Sequence, residues 1–206
     1  MSERSDHELL AAWAAGDSGA STELLGRHVG ALFRFFDRKL EGAADDLVQE
    51  TLLGCLAGRD RIRGEVGFRG YMFGVARNVL YDHLRARHRA AEPLDVQSSC
   101  LAELAPSPIE RVIQKREQRL LLEALRRLPV DTQVLLELYH WQQLGGPELA
   151  AIYGLGERAL RSRLHRAKQS LQDAMQGLAE SPDELRSSIA DFESWARALP
   201  KPHATG

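Results

Sequence analysis

The stretch Gly146-Pro-Glu-Leu-Ala-Ala-Ile-Tyr-Gly154-Leu-Gly-Glu-Arg-Ala-Leu-Arg-Ser-Arg-Leu-His165 has the spacing of a helix-turn-helix motif. Ala150 is the small residue where two helices cross closely, and Gly154 suits a turn that requires a positive φ. The predicted buried face consists of Leu149, Leu155, Leu160 and Leu164, and the second helix exposes Arg158, Arg161, Ser162, His165 and Arg166. Such a helix fits the major groove, where Arg holds guanine bidentately and other cations contact phosphate. The pattern favours DNA binding over a helical hairpin with a charged outer face.

Helical periodicity also dominates the N-terminal half of the chain. The predicted helix over residues 22–40 places on one face Leu24, Leu25, Val29, Leu32, Phe33 and Phe36. Asp45 or Asp46 is expected to cap the next helix, whose apolar stripe comprises Leu47, Val48, Leu52, Leu53 and Leu56. A third helix is predicted from about Tyr71 to Arg89, with Phe73 in the core. Because no segment alternates with a period of two, the chain is predicted to be all-α.

A change of composition divides the chain into two helical blocks. Between residues 91 and 110, Pro93, Pro106 and Pro108 lie among serines, which is typical of a linker. Helices are then expected from Ile109 to Leu128, from an Asp131 N-cap onward, from Glu148 to Tyr153 with Pro147 at its first position, and from Glu157 to Leu178. The predicted architecture is two small helical domains, residues 1–90 and 111–180, joined by a flexible linker over 91–110. A short C-terminal helical tail, residues 181–206, completes it.

Composition and charge narrow the class of protein. The 206 residues are 44% apolar with a net charge of −2, yet residues 59–91 carry eight arginines against three acids, and residues 157–169 carry five cations against one acid. Two basic blocks on an acidic chain suggest two polyanion-binding surfaces. Two cysteines exclude a disulfide scaffold, and no apolar run is long enough to span a membrane. The N-terminus lacks the features of a secretory signal, so we expect a reduced, soluble, intracellular protein.

Two motifs resemble one known family. Asp45-Asp-Leu-Val-Gln-Glu-Thr51, followed by Phe68-Arg-Gly-Tyr-Met-Phe-Gly-Val-Ala-Arg-Asn78 and Asp82-His-Leu-Arg85, resembles region 2 of bacterial sigma factors, especially the small extracytoplasmic-function (ECF) group. Leu128-Pro129, Glu148 to Gly154 and Arg161 to Ala167 resemble region 4 of the same family. The likeness covers residues 22–175, in the family's order and with a linker between the two regions. It implies a sigma region 2 bundle and a sigma region 4 helix-turn-helix domain.

The resemblance also implies roles for individual residues. Core RNA polymerase, through its β′ clamp, is expected to bind Asp46, Leu47, Gln49 and Glu50. The −10 promoter element is expected to contact Arg59, Arg61, Arg63, Phe68, Tyr71, Arg77, Asn78 and Arg85. The −35 element is expected to contact Arg158, Arg161, Ser162, Arg163, His165 and Arg166. The implied partners are core polymerase (β′ clamp and β flap), promoter DNA and an anti-sigma factor.

The implied protein is a non-catalytic, cytoplasmic initiation subunit of bacterial RNA polymerase, without cofactor or metal. A helix-turn-helix regulator that acts independently of core polymerase is the alternative, and it leaves the Asp45–Thr51 motif without a role. An enzyme is disfavoured because no Gly-rich phosphate loop and no catalytic constellation stands out. The tail has Leu185, Ile189, Phe192, Trp195 and Leu199 at helical spacing. It is expected either to be an amphipathic helix that packs on the second domain or is partly disordered, or to be a regulatory helix for intramolecular inhibition or partner binding.

Overall fold

A computed structural model describes residues 4–59, 62, 67–87, 95, 98–100, 116–179 and 181. In these ranges the helices are α1 (Asp6–Ala14), α2 (Ser18–Asp37), α3 (Ala44–Ala57), α4 (Phe68–Arg87), α5 (Arg116–Arg126), α6 (Val130–His140), α7 (Gly146–Tyr153) and α8 (Glu157–Leu178). The same ranges contain no strand, only one isolated bridge between Cys100 and Pro129. The all-α prediction is therefore confirmed. The predicted tail and the start of the helix expected at Ile109 lie outside the described residues.

Helices α1 to α4 form the first domain around an aromatic core. Phe35, Phe36 and Phe73 are fully buried, and the Phe35 ring centroid lies 5.1 Å from that of Phe36 and 5.7 Å from that of Phe73. Burying one such side chain contributes about 1.5–3 kcal/mol, so this cluster is a large part of the domain's stability. The expected core position of Phe73 is confirmed.

Helix α1 was not expected from the periodicity. Its start is a capping box, in which the Ser5 hydroxyl accepts a hydrogen bond from the Glu8 amide and the Glu8 carboxylate accepts one from the Ser5 amide at 2.7 Å. Leu9 and Trp13 are buried, and the Trp13 ring packs edge-on against Phe68 at 6.3 Å. The Ser-x-x-Glu spacing was the signal that could have revealed this helix.

The buried face of α2 is narrower than the sequence pattern indicates. Leu24, Leu32 and Phe36 are buried as expected, but Val29 and Phe33 are 37% and 38% exposed. Phe35, left out of the predicted face, is fully buried instead. Six apolar positions cover more of the helix circumference than its neighbours can bury, and periodicity alone does not show which edge of that arc faces the core.

Helices α3 and α4 approach each other closely at Gly54 of α3 and at Gly58, the residue that caps its C-terminal end. A Cβ at Gly54 would lie 2.8 Å from Val75 Cγ1, and one at Gly58 would lie 1.9 Å from the Tyr71 hydroxyl. A Cβ at either position would force Val75 or Tyr71 to move, so glycine is the residue that fits this packing without a shift. The expected N-cap of α3 is wrong by two or three residues, because the cap is Ala43 and both Asp45 and Asp46 lie within the first turn. There, their negative charges interact favourably with the positive end of the helix dipole.

Helices α5 to α8 form the second domain and contain the predicted helix-turn-helix. Gly154 ends α7 with φ +60°, as expected, and Pro147 lies in the first turn of α7. The helix begins at Gly146, two residues before the predicted start, because the Glu148 carboxylate accepts a hydrogen bond from the Gly145 amide at 2.8 Å. Leu149, Leu160 and Leu164 are buried between α7 and α8.

Asp131 does not cap α6, contrary to the sequence-based expectation. The N-cap is Pro129, and Asp131 lies inside the first turn with its side chain buried. Residues of the expected linker also contact the second domain, since the Val130 amide donates to the Ser99 carbonyl at 2.9 Å. The two domains are in contact through α4, which packs against α7.

Candidate polymerase and promoter interfaces

The outer face of α8 presents the basic row that the sequence predicts. Its exposed side chains are Arg158, Arg161, Ser162, His165 and Arg166. They recur every three or four residues, so they line one side of the helix, while Leu160, Leu164 and Ala167 face the core. The Ser162 hydroxyl donates to the Arg158 carbonyl at 3.1 Å. The expected exposure is confirmed, and contact with DNA stays a prediction.

Arg163 lies on a different side of α8 from this row. Its guanidinium forms an ion pair with Asp131 and lies 4.9 Å from the Tyr153 ring centroid. Its side chain is 32% exposed. In this conformation Arg163 holds α8 against α6 and α7, so the structure does not bring it together with the other −35 candidates.

The −10 candidates divide into buried and exposed residues. Phe68 is 2% exposed and packs between Trp13 and His28, whose ring centroid is 5.5 Å away. It supports the start of α4 from inside the core and presents no surface to a base. Asn78 and Arg85 are exposed on α4, and Arg85 forms an ion pair with Asp82 at 3.1 Å.

Tyr71 and Arg77 are both half-buried on α4. Tyr71 packs its ring and hydroxyl against Gly58, and Arg77 faces the second domain. Burial opposes the charge on Arg77, but nearby Tyr81, Tyr153 and Asp131 raise its pKa above the ordinary value. Arg77 therefore stays fully cationic in the closed arrangement. Arg59 is exposed at the end of α3, and Arg61 and Arg63 lie outside the described residues.

The outer face of α3 combines polar and apolar side chains. Asp46, Gln49 and Glu50 are exposed, as the polymerase-binding prediction requires, whereas Leu47 is 3% exposed and belongs to the core. Leu53 and Leu56, which the periodicity assigned to the buried stripe, are 57% and 43% exposed. Helical spacing places them on the same side as the three polar residues, so the structure adds two leucines to the candidate face.

Neither metal nor membrane sites emerge from the described residues. No group of three or more His, Cys, Asp or Glu side chains there has an arrangement that would hold a metal ion. Each helix in those ranges is too short or too polar to cross a bilayer. Cys55 is buried and Cys100 is half-buried, and burial raises the pKa of Cys55 to about 12.

Comparison with known proteins identifies both halves of the chain. The family model for sigma-70 region 2 matches residues 23–90, and that for sigma-70 region 4 matches residues 118–171. The first match contains α3, α4 and most of α2, and the second contains most of α5 together with α6, α7 and most of α8. The exposed faces of α3 and α8 thus lie in separate matched regions.

Curated relatives and a solved structure agree with these matches. The chain is 33% identical over 164 residues to the ECF RNA polymerase sigma factor SigF of Caulobacter vibrioides, covering 78% of this chain and 88% of SigF. It is 30% identical over 136 residues to the probable RNA polymerase sigma factor RfaY of Xanthomonas campestris, covering 65% of this chain and only 34% of RfaY. CnrH, solved in complex with the cytosolic domain of CnrY, shares the fold with a TM-score of 0.58 at 23% identity, over 84% of this chain and 99% of CnrH. The chain belongs to the sigma-70 family, in its ECF group of promoter-recognition factors that direct transcription initiation.

Proposed function

We propose that the outer face of α3 is the surface by which this sigma factor binds core RNA polymerase at the β′ clamp. Its contact residues are Asp46, Gln49, Glu50, Leu53 and Leu56. The leucines are exposed, and the flanking polar groups give the apolar contact a fixed orientation. Leu47 supports this face from beneath and is not itself a contact. This exposed face is the main observation in favour of polymerase binding, because a DNA-binding protein that acts alone has no need of such a face.

The first domain reads the −10 element along α4 and the segment that precedes it. Asn78 and Arg85 are exposed there, and Arg59 lies at the end of α3. Arg61 and Arg63 add cationic charge from residues 59–67. Strand separation needs a cationic track for phosphate and rings for unstacked bases. Arg77 joins this track once the second domain moves away, and the half-buried Tyr71 is the ring on the same helix.

The second domain reads the −35 element as duplex through the exposed row of α8. Arg158, Arg161 and Arg166 are the base or phosphate contacts, with Ser162 and His165 between them. Arg163 is not one of these contacts, because its guanidinium is held by Asp131. The β flap of polymerase binds the same domain and keeps it at the −35 position.

The chain contributes binding and DNA opening and makes or breaks no covalent bond itself. It acts in the bacterial cytoplasm, where RNA polymerase transcribes. The sigma factor RpoE from Bartonella quintana, which shares the fold, was solved in complex with the anti-sigma factor NepR, so we include an anti-sigma factor among the partners of this chain. A helix-turn-helix regulator independent of polymerase is the second candidate. The exposed basic row of α8 favours it, and the face of α3 opposes it.

Multi-round transcription with purified core polymerase tests the proposal. The template is a genomic fragment library that includes the region upstream of the gene for this protein. Wild type is expected to yield specific transcripts, and Gln49→Ala/Glu50→Ala is expected to lose them. Gln172→Ala/Asp173→Ala, which removes the same kinds of exposed group from α8, serves as the control. Binding to specific DNA without any transcript and without binding to core would support the independent regulator instead.

A further inference from the structure

One carboxylate joins the two domains at their contact. Asp131 of α6 is buried, and its Oδ1 accepts hydrogen bonds from Arg77 Nη2 at 3.0 Å and from the Tyr81 hydroxyl at 2.7 Å. Both donors belong to α4 of the first domain. Its Oδ2 pairs with Arg163 of α8. A single acid therefore binds one arginine from the domain proposed to read the −10 element and one from the domain proposed to read the −35 element.

Tyr153 reinforces this junction between the two arginines. The centroid of its ring lies 4.4 Å from the guanidinium carbon of Arg77 and 4.9 Å from that of Arg163. Its hydroxyl donates to the Asp131 carbonyl at 3.2 Å. Cation–π contacts of this kind are strongest where water is excluded, and burial raises the pKa of the Tyr153 hydroxyl well above its ordinary value.

The rest of the contact between the domains also includes polar pairs. Lys39, which follows α2, is buried and pairs with Glu137 of α6, while its Nζ donates to the Phe35 carbonyl at 2.6 Å. Arg69 of α4 donates to Gln142 at 3.2 Å. When the domains separate, water can form hydrogen bonds with these polar groups. A contact of this composition is therefore reversible, unlike a large apolar interface.

The closed arrangement is incompatible with reading both promoter elements. By their positions, the −10 and −35 elements lie about 25 base pairs apart, or roughly 85 Å at 3.4 Å per base pair. Arg77 and Arg163 here share one carboxylate, so their domains must separate before each reaches its element. The 28 residues between Arg87 and Arg116 permit this, since a fully extended chain of that length spans about 100 Å.

We propose that Asp131 is an autoinhibitory latch that keeps the free sigma factor closed. Its carboxylate binds the guanidinium of Arg77 in place of a DNA phosphate, because carboxylates and phosphates both accept charge-assisted hydrogen bonds from arginine. Binding to polymerase and DNA competes with this contact, and the domains open as Arg77 is released. This proposal rests on the proposed function for the part that concerns promoter reading, but closure itself is testable without DNA.

Resonance energy transfer between labels on the two domains measures closure directly. Labels are placed on Glu41→Cys and Gln172→Cys, both exposed, in a Cys100→Ser background that leaves the buried Cys55 unlabelled. Wild type is expected to show high transfer. Asp131→Asn keeps the volume and removes the charge, so the open population is expected to rise tenfold or more. Asp82→Asn removes an exposed acid that also pairs with an arginine, and it is expected to leave transfer unchanged.

A steric variant separates the latch from any damage that Asp131→Asn does to the second domain. A Cβ at Gly74 of α4 would lie 3.6 Å from Ile152 Cγ1 of α7, an ordinary contact. Gly74→Ala is therefore expected to stay closed, whereas the longer side chain of Gly74→Leu collides with α7 and opens the chain. If Asp131→Asn keeps wild-type transfer, the carboxylate does not hold the domains together and the proposal is overturned, whether or not Gly74→Leu opens the chain.

The rate of association with core polymerase tests whether closure inhibits. Both opening variants are expected to bind core several-fold faster than wild type, while Gly74→Ala is expected to match it. Lower transfer without faster association would overturn autoinhibition, because the closed state would then not limit binding. Failure of every form, wild type included, to bind core would instead refute the proposed function, and the transfer measurement would still decide whether the chain closes.

Discussion

The exposed row of α8 makes a quantitative prediction about salt. We consider Arg161→Ala, Arg166→Ala and the double variant, tested on a duplex that contains the −35 element. Within the described residues, neither arginine has a carboxylate in salt-bridge range, and both side chains project into solvent. Their removal therefore leaves no buried charge without a partner, and the loss of affinity reports contact with DNA.

The size of the effect follows from counterion release. Each phosphate contact contributes about 0.9 to the slope of log affinity against log salt, so the double variant is expected to lower the slope by about 1.8. Between 50 mM and 200 mM salt, the wild type should then lose about 12-fold more affinity than the double variant loses. If one of the two arginines contacts a base and not a phosphate, the slope is expected to fall by only about 0.9. Its removal then also reduces the preference for the correct base pair.

Fluorescence anisotropy at four salt concentrations measures this slope. Arg163→Ala is the informative control, since its guanidinium is held by Asp131 and its slope is expected to equal that of the wild type. Arg127→Ala removes an exposed arginine from the turn between α5 and α6 and should likewise have no effect. A slope that falls in Arg163→Ala and stays constant in the double variant would refute our assignment of the face that binds DNA.

Three further predictions concern the first domain. Leu53→Ser/Leu56→Ser is expected to weaken binding to core polymerase at least tenfold in a pull-down titration, while the thermal unfolding midpoint changes little because both leucines are exposed. An unchanged affinity would contradict the assignment of the α3 face to polymerase binding. Gly54→Leu is expected to lower the free energy of unfolding in urea by about 1–3 kcal/mol through overpacking against Val75, and Gly26→Leu, where nothing lies near the Cβ, is the control. At pH 8, iodoacetamide is expected to label Cys100 and to leave Cys55 unlabelled until urea unfolds the chain, because the pKa of about 12 keeps Cys55 protonated. Equal labelling rates for the two cysteines would show that Cys55 is not buried.

Local patterns in the sequence predicted the helix-turn-helix and every helix of the described residues except α1. Gly154 at φ +60° and the buried Leu149, Leu160 and Leu164 follow from spacing alone, because a helix pair has few ways to bury that set. The exposed row of α8 follows for the same reason. Where a residue's environment depends on its own helix and the next one, the sequence is sufficient.

Contacts between distant segments were not predictable in this way. Asp131 has the sequence context of an N-cap, yet its partners Arg77 and Tyr81 lie 54 and 50 residues earlier in the chain. Leu53 was assigned to the core because it is apolar, although the neighbouring helices leave its side of α3 uncovered. A periodic pattern gives the apolar arc of a helix, and only the packed domain determines which part of that arc is buried.

The close approach of α3 and α4 at Gly54 and Gly58 has a mechanical consequence. Val75 and Tyr71 pack directly against the two glycines, so a larger residue at either position would push α3 and α4 apart. The helix proposed to bind polymerase and the helix proposed to read promoter DNA thus pack directly against each other within one domain. Wherever the clamp fixes α3, the position of α4 over the template is fixed with it, so the enzyme itself sets the register in which DNA is opened.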